Sequence, residues 1–570
     1  MIYLFFNRKH PWTGVTLLFF IILINLREKN AADEHKRAKN KSNGSKRKED
    51  NKCENKREEN NNCGNKREDS RTGGYMDFTG INTALLDFLD RSPVPFYAVR
   101  NMKESLEKEG FRELYEGERW TLQEGDACYV CRNDSALIAF RIPKTDFTGF
   151  QIIASHCDSP MFRIKPNAEI TAEGRYIKLN VEKYGGAVLA PWLDRPLSVA
   201  GRVIVETESG IETKLVNIDK DLLIIPNLAI HMNRQVNEGF KYNLQTDLLP
   251  LLGEIPGAGA GGAADLDTSC PAGRKNDSPG AGPEMEAAAA AFPQKMEKDP
   301  RGTGTGPGAS AAGTQAGFLS LLAAEAGVRP EQILDTDLYL YSRMKGTYVG
   351  MNREFLCSGR LDDLQCAFAS LQGILTARPR DSVAVHCVFD NEEVGSGTAQ
   401  GAAGTFLRDV LRRINEGLGR SEEDYLRALP SSFMVSLDNA HAVHPNHPEK
   451  ADPTNRPCMN GGIVIKYDAG KKYTTDAVSG AIFRSVCKKA GVPFQTFTNR
   501  SDMIGGSTLG HISQAQVSLN TVDAGLAQLA MHSPYETAGA KDTSWLVEAA
   551  RVLFSSSVEN TGSGKYRLHF

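Results

Sequence analysis

The sequence predicts an α/β domain with a mostly parallel sheet flanked by helices, interrupted by an inserted β-rich domain. Three observations lead there. Val383–Phe389 is an apolar, β-branched run of the kind that forms a buried central strand. From about Gly350 onward, strand-like and helix-like stretches alternate, which implies parallel strands with crossover helices. Between about Lys165 and Tyr348 the texture changes to short alternating strands, the mark of all-β material.

The 570 residues suffice for two or more domains, and 41% hydrophobic against 24% charged residues allows real cores. A formal net charge of -3 argues against a nucleic-acid-binding protein. Eleven Cys lack a framework spacing, and Cys366, Cys387 and Cys487 fall in apolar segments, so a reducing, cytoplasmic compartment is expected. Cys128-Tyr-Val-Cys131 reads as two strand residues, since no second pair lies nearby.

Residues 1–75 differ from the rest. Trp12–Leu26 is apolar behind Arg8 and Lys9, but shorter than the ~18 apolar residues expected of a spanning helix. Membrane contact would follow only if this run were a true anchor. Arg27–Arg71 is almost wholly Lys, Arg, Glu, Asp and Asn, which cannot bury a core. Met76 then opens the globular pattern and is read as the functional start. Residues 76–165 form the first part of the α/β domain. Ile81, Leu85, Leu86 and Leu89 share one helical face that ends at Ser92-Pro93. Val99, Met102 and Leu106 share a second, closed by Gly110. Strands are expected at Ala136–Ile142 and Phe150–Ser155.

The inserted domain is set at residues 166–348, with strands at Tyr176–Val181, Arg202–Glu206, Glu212–Val216 and Leu222–Ile225. Within it, Gly253–Gly317 is rich in Gly, Ala, Pro and Ser and reads as a disordered surface insertion. Residues 349–570 resume the α/β pattern. Helices are expected at Asp363–Leu375, Thr405–Ile414 and Trp545–Phe554. Strands are expected at Val383–Phe389, Phe433–Leu437, Ile463–Lys466, Phe494–Thr498 and Gln516–Asn520.

Ligands in open α/β sheets gather at the carboxyl ends of strands, and the turns there carry a set fitted to two metal ions. His156 follows one strand, Glu392 and Glu393 another, and Asp438 a third; Asp362 and His532 sit in further turns. His156 would bind one metal, Asp362 would bridge, Glu393 would serve one ion and Asp438 the other, and His532 would complete the second site. Asp158 could hold the His156 ring in its metal-binding tautomer. Glu392 is then free to accept a proton from activated water and pass it to a leaving amine. His441, His444 and His447 have a ligand-like spacing but are read as pocket-lining or locally bonded. His386 is read as a core histidine. His511, in a Gly-rich loop, is a weak candidate for shaping the pocket.

These turns resemble those of the aspartyl aminopeptidases over Met76–Phe570, apart from the Gly/Ala insertion. The matching stretches are Ser155-His-Cys-Asp-Ser-Pro160, Ser358-Gly-Arg-Leu-Asp-Asp363, Asp390-Asn-Glu-Glu-Val-Gly-Ser396, the segment from Ser436 to Asn446, and Met531-His-Ser-Pro534. The resemblance implies a catalytic α/β domain, an inserted dimerisation domain, two zinc ions per subunit that Co or Mn can replace, and peptide substrates. It implies His156, Asp362, Glu393, Asp438 and His532 as ligands, Glu392 as general base, and His231, Lys466 and Tyr473 as substrate-binding residues. It also implies a homo-oligomer, a dimer assembling to a dodecamer, with His231 reaching a neighbour's site. The expected activity is removal of an N-terminal residue, Asp or Glu by preference. The competing expectations are broader or neutral specificity, a related two-metal amidase or deacylase, and a non-enzymatic scaffold. The N-terminal extension and the long insertion depart from the family pattern.

Overall fold

The computed structural model describes residues 78–255 and 317–570. The extension 1–75, its apolar run and nearly all of the Gly/Ala insertion lie outside these residues. Among the described residues no helix is long and apolar enough to cross a membrane.

A nine-stranded sheet forms the centre. Its middle strands are Val383–Phe389, Phe150–His156, Phe433–Leu437 and Asn520–Gly525, hydrogen-bonded in that order and all parallel. Strand Ala136–Arg141 borders them antiparallel on one side, and Ile463–Lys466 on the other. Period-two alternation divides Val383–Phe389, Phe150–His156 and Phe433–Leu437 between two cores. Ile153 faces the core built on helices Phe78–Arg91, Pro95–Lys108, Leu361–Thr376, Ala477–Ala490 and Asp542–Phe554. Its neighbours Ile152 and Ala154 face the core built on Phe406–Gly417, Glu422–Ala428 and Leu509–Gln516. Burial on both faces is why these strands, apart from Asn520–Gly525, read as apolar runs. The fold class is therefore the expected one, α/β with a β-rich insertion.

The inserted unit is a six-stranded antiparallel sheet in the order Gly210–Asn217, Leu197–Thr207, Ile333–Ser342, Met161–Ala172, Tyr176–Tyr184 and Leu251–Glu254. It has an apolar core of its own around Phe162, Trp192, Leu197 and Leu340. A five-stranded sheet not foreseen from sequence joins Thr347–Val349, Phe355–Ser358, Glu536–Gly539, Ala527–Leu529 and Ala440–His441.

Three local expectations are corrected. Leu222–Ile225 makes only isolated bridges, Leu197 with Leu223 and Ile224 with Leu251, so it touches two different strands and extends neither. Gln516–Asn520 is the end of a helix and a connector; the strand is Asn520–Gly525. Its Asp523 is fully buried and accepts hydrogen bonds from Thr474 and Thr508, a tertiary compensation that no local propensity reports. His511 lies within helix Leu509–Gln516 rather than in the Gly-rich loop. Cys128 and Cys131 lie in strand Ala127–Arg132 as expected, and His386 is a buried core residue with Nδ1 2.8 Å from the Ser370 hydroxyl, although its Nε2 has no partner among the described residues.

Helix Leu361–Thr376 brings Asp362 to the site and crosses helix Asp542–Phe554 at Gly373. A Cβ there would lie 2.5 Å from the Ala550 Cβ and 3.1 Å from backbone atoms. Gly373→Ala is expected to lower stability by about 1–3 kcal/mol through overpacking; an unchanged urea midpoint would refute this close approach.

Candidate metal centre

The middle strands end side by side, and their last residues and following turns assemble the site. His156 is the last residue of its strand. Glu392 and Glu393 form a 3-10 turn after Val383–Phe389, entered through Asn391 at φ 62 and left through Gly395 at φ 97. Asp438 follows Phe433–Leu437. Asp362 lies in the first turn of its helix with non-helical dihedrals, and the Asp362–Asp363 peptide is cis. His532, at φ 68, occupies the turn between Ala527–Leu529 and Glu536–Gly539. Left-handed conformations at Asn391 and His532, neither of them glycine, mark a turn geometry held by its surroundings.

These side chains form two donor sets. His156, Asp362 and Asp438 make one; Asp362, Glu393 and His532 make the other, and within each the donor atoms lie within 4.8 Å of one another. Asp362 belongs to both. His532 Nε2 is 3.4 Å from both Asp362 Oδ2 and Glu393 Oε2, and His156 Nε2 is 3.9 Å from Asp362 Oδ1. Asp362 Oδ1 and Glu393 Oε1 are buried with no hydrogen-bond partner. Buried carboxylate oxygens need a partner, and an imidazole-and-carboxylate set suits a divalent cation such as zinc. The donors therefore fit the ion.

Each imidazole is oriented from behind. His156 Nδ1 lies 3.0 Å from the Asp158 carbonyl and 3.3 Å from its carboxylate, which leaves Nε2 toward Asp362. His532 Nδ1 lies 3.1 Å from the Gly186 carbonyl, with the same effect. Such outer contacts set the tautomer. Asp158 also accepts the backbone N–H groups of Glu392 and Glu393, each at 3.1 Å, and so fixes the turn that carries both.

Sequence reasoning missed Glu536. It is buried, and its two oxygens accept the backbone N–H groups of His532 at 2.8 Å and Asp362 at 3.1 Å. Its position four residues after His532 was the only signal. Tyr184, whose hydroxyl donates to Asp158 Oδ2 at 2.7 Å, was missed as well.

Burial shapes the charges. It pushes Glu392 up to about 7, with His156 pulling the other way, and Asp438 to about 6, with Lys466 pulling the other way. Burial and the Asp362 charge hold Glu393 well above the usual carboxylate range. Burial opposes charge on His532, but Asp362 and Glu393 outweigh it and raise the imidazole to about 10. Asp362 is lowered: burial would raise it, and His532 and His156 overcome that.

The substrate candidates separate. Lys466 is buried, donating to Asp438 at 3.1 Å and to the Asn439 carbonyl at 2.8 Å. Its ammonium is 5.4 Å from the Tyr473 ring centroid. His231 is exposed, and no hydrogen bond or ion pair holds it among the described residues. A cavity of about 290 Å³ opens beside Met531, lined among others by His441, His444, Phe497 and Met503. His447 instead faces Glu449 at 3.5 Å, so the three spaced histidines form no third donor set.

A family model for aminopeptidase I zinc metalloproteases (M18) matches residues 88–554. A probable M18 family aminopeptidase 2 of Clostridium novyi is 45% identical over 462 residues, covering 80% of this chain and 94% of the relative. Among solved structures, a chain of the Ape4 and Nbr1 complex is 34% identical with a TM-score of 0.72, covering 85% of this chain and 87% of its own. A chain of the S. cerevisiae mApe1 dodecamer is 26% identical with a TM-score of 0.64, covering 83% and 96%.

Protons and a cation compete for these donors. His532, raised to about 10 by Asp362 and Glu393, already carries a proton below that value, and as pH falls through the raised values of Asp438 and Glu393 these carboxylates are neutralised as well. Zinc affinity is thus expected to fall as pH drops from about 8 to about 5, by about tenfold per pH unit for each proton displaced. Competition titrations with a chelator at several pH values measure this; a pH-independent affinity would contradict it.

Proposed function

We propose that this chain, which belongs to the M18 family of aminopeptidase I zinc metalloproteases, is a two-zinc aminopeptidase that removes an N-terminal Asp or Glu in preference to other residues. The observation that carries the two-ion reading is the sharing of Asp362 by both donor sets. His156 and Asp438 would hold one ion and Glu393 and His532 the other; cobalt or manganese would substitute.

When bound, zinc supplies a Lewis acid that polarises the scissile carbonyl and acidifies water. The chain's own residues do the rest. Glu392 stands outside both donor sets, and burial brings it to about 7, near the optimum for exchanging protons at neutral pH. Its carboxylate takes a proton from the attacking water and returns it to the leaving nitrogen. Asp158 keeps His156 and the Glu392 backbone in place.

Support for the acidic preference comes from the cavity beside Met531, which Lys450 lines; Arg500, on the same wall, is held by Asp502 at 2.8 Å. Lys466, paired with Asp438, and Tyr473 shape the inner wall rather than offering a free cation. Eight described cysteines, none in a disulfide, support a reducing, cytoplasmic location.

The inserted domain, residues 166–348, would build the dimer from which a dodecamer assembles; the similar S. cerevisiae mApe1 is a dodecamer. Its His231 lies between exposed Leu228, Ile230 and Met232, the last 74% exposed. An apolar patch of this kind suits burial against a second copy, where His231 would contact substrate in the neighbour's site.

Three experiments follow. A panel of peptides with N-terminal Asp, Glu, Leu, Ala and Lys, plus N-acyl controls, is expected to show the highest kcat/KM for the acidic pair and none after chelation. A Glu392→Gln enzyme should retain zinc and lose turnover. Preference for Leu or Ala would indicate broader specificity, and cleavage of N-acyl substrates alone a deacylase. Co-expression of His231→Ala with Glu392→Gln, each inactive alone, should restore activity, since mixed oligomers contain sites with both groups intact. A dead mixture would place His231 in its own subunit's site.

A further inference from the structure

The inserted β-rich domain sends one short run of chain into the metal centre. Strand Tyr176–Tyr184 ends there and continues as Gly185-Gly186-Ala187-Val188. Tyr184 half-emerges from its sheet with its ring edge-on to Tyr339, centroids 5.7 Å apart. Its hydroxyl donates to Asp158 Oδ2 at 2.7 Å and accepts from the Asn391 amide at 3.0 Å. Asn391 is itself pinned, its side-chain oxygen accepting from Thr398 at 2.8 Å and Gln400 at 3.0 Å.

Asp158 is fully buried, so both of its oxygens need donors. Oδ1 has the Glu392 N–H and faces His156 Nδ1; Oδ2 has the Glu393 N–H and the Tyr184 hydroxyl. Without that hydroxyl, Oδ2 keeps one of its two donors and the carboxylate gains freedom to turn. The His156 ring and the Glu392–Glu393 turn lose their fixed partner together.

Two residues further along, the run meets the other donor set. The Gly186 carbonyl faces His532 Nδ1 at 3.1 Å, and the Val188 N–H donates to the His532 carbonyl at 3.0 Å. Larger residues would fit only if their neighbours shifted. A Cβ on Gly185, which has φ +71, would lie 3.0 Å from the Glu393 Cβ, and one on Gly186 would lie 3.3 Å from His532 Nδ1.

We propose that the strap Tyr184–Val188 is part of the frame of the metal centre, with Tyr184 a positioning residue for the His156 side and Gly186 for the His532 side. The inference rests on the two-metal reading above. It makes the inserted domain a participant in metal retention within the same subunit, apart from any role in assembly.

The test is Tyr184→Phe, which keeps the ring and removes the hydroxyl, with Tyr339→Phe as a control on the neighbouring ring. On the intact protein, the zinc dissociation constant is measured by competition with a chromogenic chelator, and kcat and KM at saturating zinc. Tyr184→Phe is expected to weaken zinc binding and lower kcat, each by about 10–100-fold, with KM within about twofold, as for loss of an outer partner of a ligand. Tyr339→Phe is expected to match the unaltered protein. A folded Tyr184→Phe with unchanged zinc affinity and kcat would overturn the proposal. Should Tyr184→Phe not fold, Gly186→Ala is measured instead, and unchanged values there would overturn it equally. Failure of the unaltered protein to bind zinc would defeat the two-metal reading itself, and so is distinguishable.

Discussion

Everything at this site depends on one carboxylate that two donor sets must share. Asp362 lies within reach of His156 and Asp438 on one side and of Glu393 and His532 on the other. Four acidic side chains at one buried sheet edge, Asp362, Glu392, Glu393 and Asp438, repel one another and have lost their water. Burial accordingly raises Glu392, Glu393 and Asp438. A cluster of this kind persists only where cations or protons neutralise it. Two imidazoles and Lys466 supply part of that charge within the chain. The unpartnered oxygens of Asp362 and Glu393 mark what is left for zinc.

The surrounding structure holds these groups against their repulsion. Three elements do so from behind. Asp158 braces His156 and the glutamate turn, Glu536 braces the backbones of Asp362 and His532, and the strap from the inserted domain reaches both ends. None of the three has to touch substrate. Their work is geometric, and it explains why chemistry at one sheet edge depends on a domain whose own core lies elsewhere. Loops with left-handed residues, such as Asn391 and His532, are tolerated because these contacts over-determine them.

Much of this was legible in the sequence, and the exceptions have physical causes. Val383–Phe389, Phe433–Leu437 and Ile463–Lys466 can be read to the residue because strands buried on both faces leave unbroken apolar runs. Asn520–Gly525 could not, since its Asp523 and Gly525 look like turn residues; Thr474 and Thr508 satisfy the buried Asp523 from distant segments. The two donor sets contain the five residues that strand-end turns single out. Glu536 and Tyr184 carry no local signature, because each matters only for what the fold sets beside it. Lys466 was expected to face substrate, yet its ammonium is engaged by Asp438, a pairing that spacing along the chain does not reveal.

The most direct measurement of the central claim is crystallographic. Diffraction from zinc-loaded protein, recorded on either side of the zinc absorption edge, locates the ions without reference to activity. Two anomalous peaks are expected beside the Asp362 carboxylate, one ligated by His156 and Asp438 and the other by Glu393 and His532, with Glu392 on neither. A single peak at full loading, or two peaks that do not share Asp362, would contradict the account.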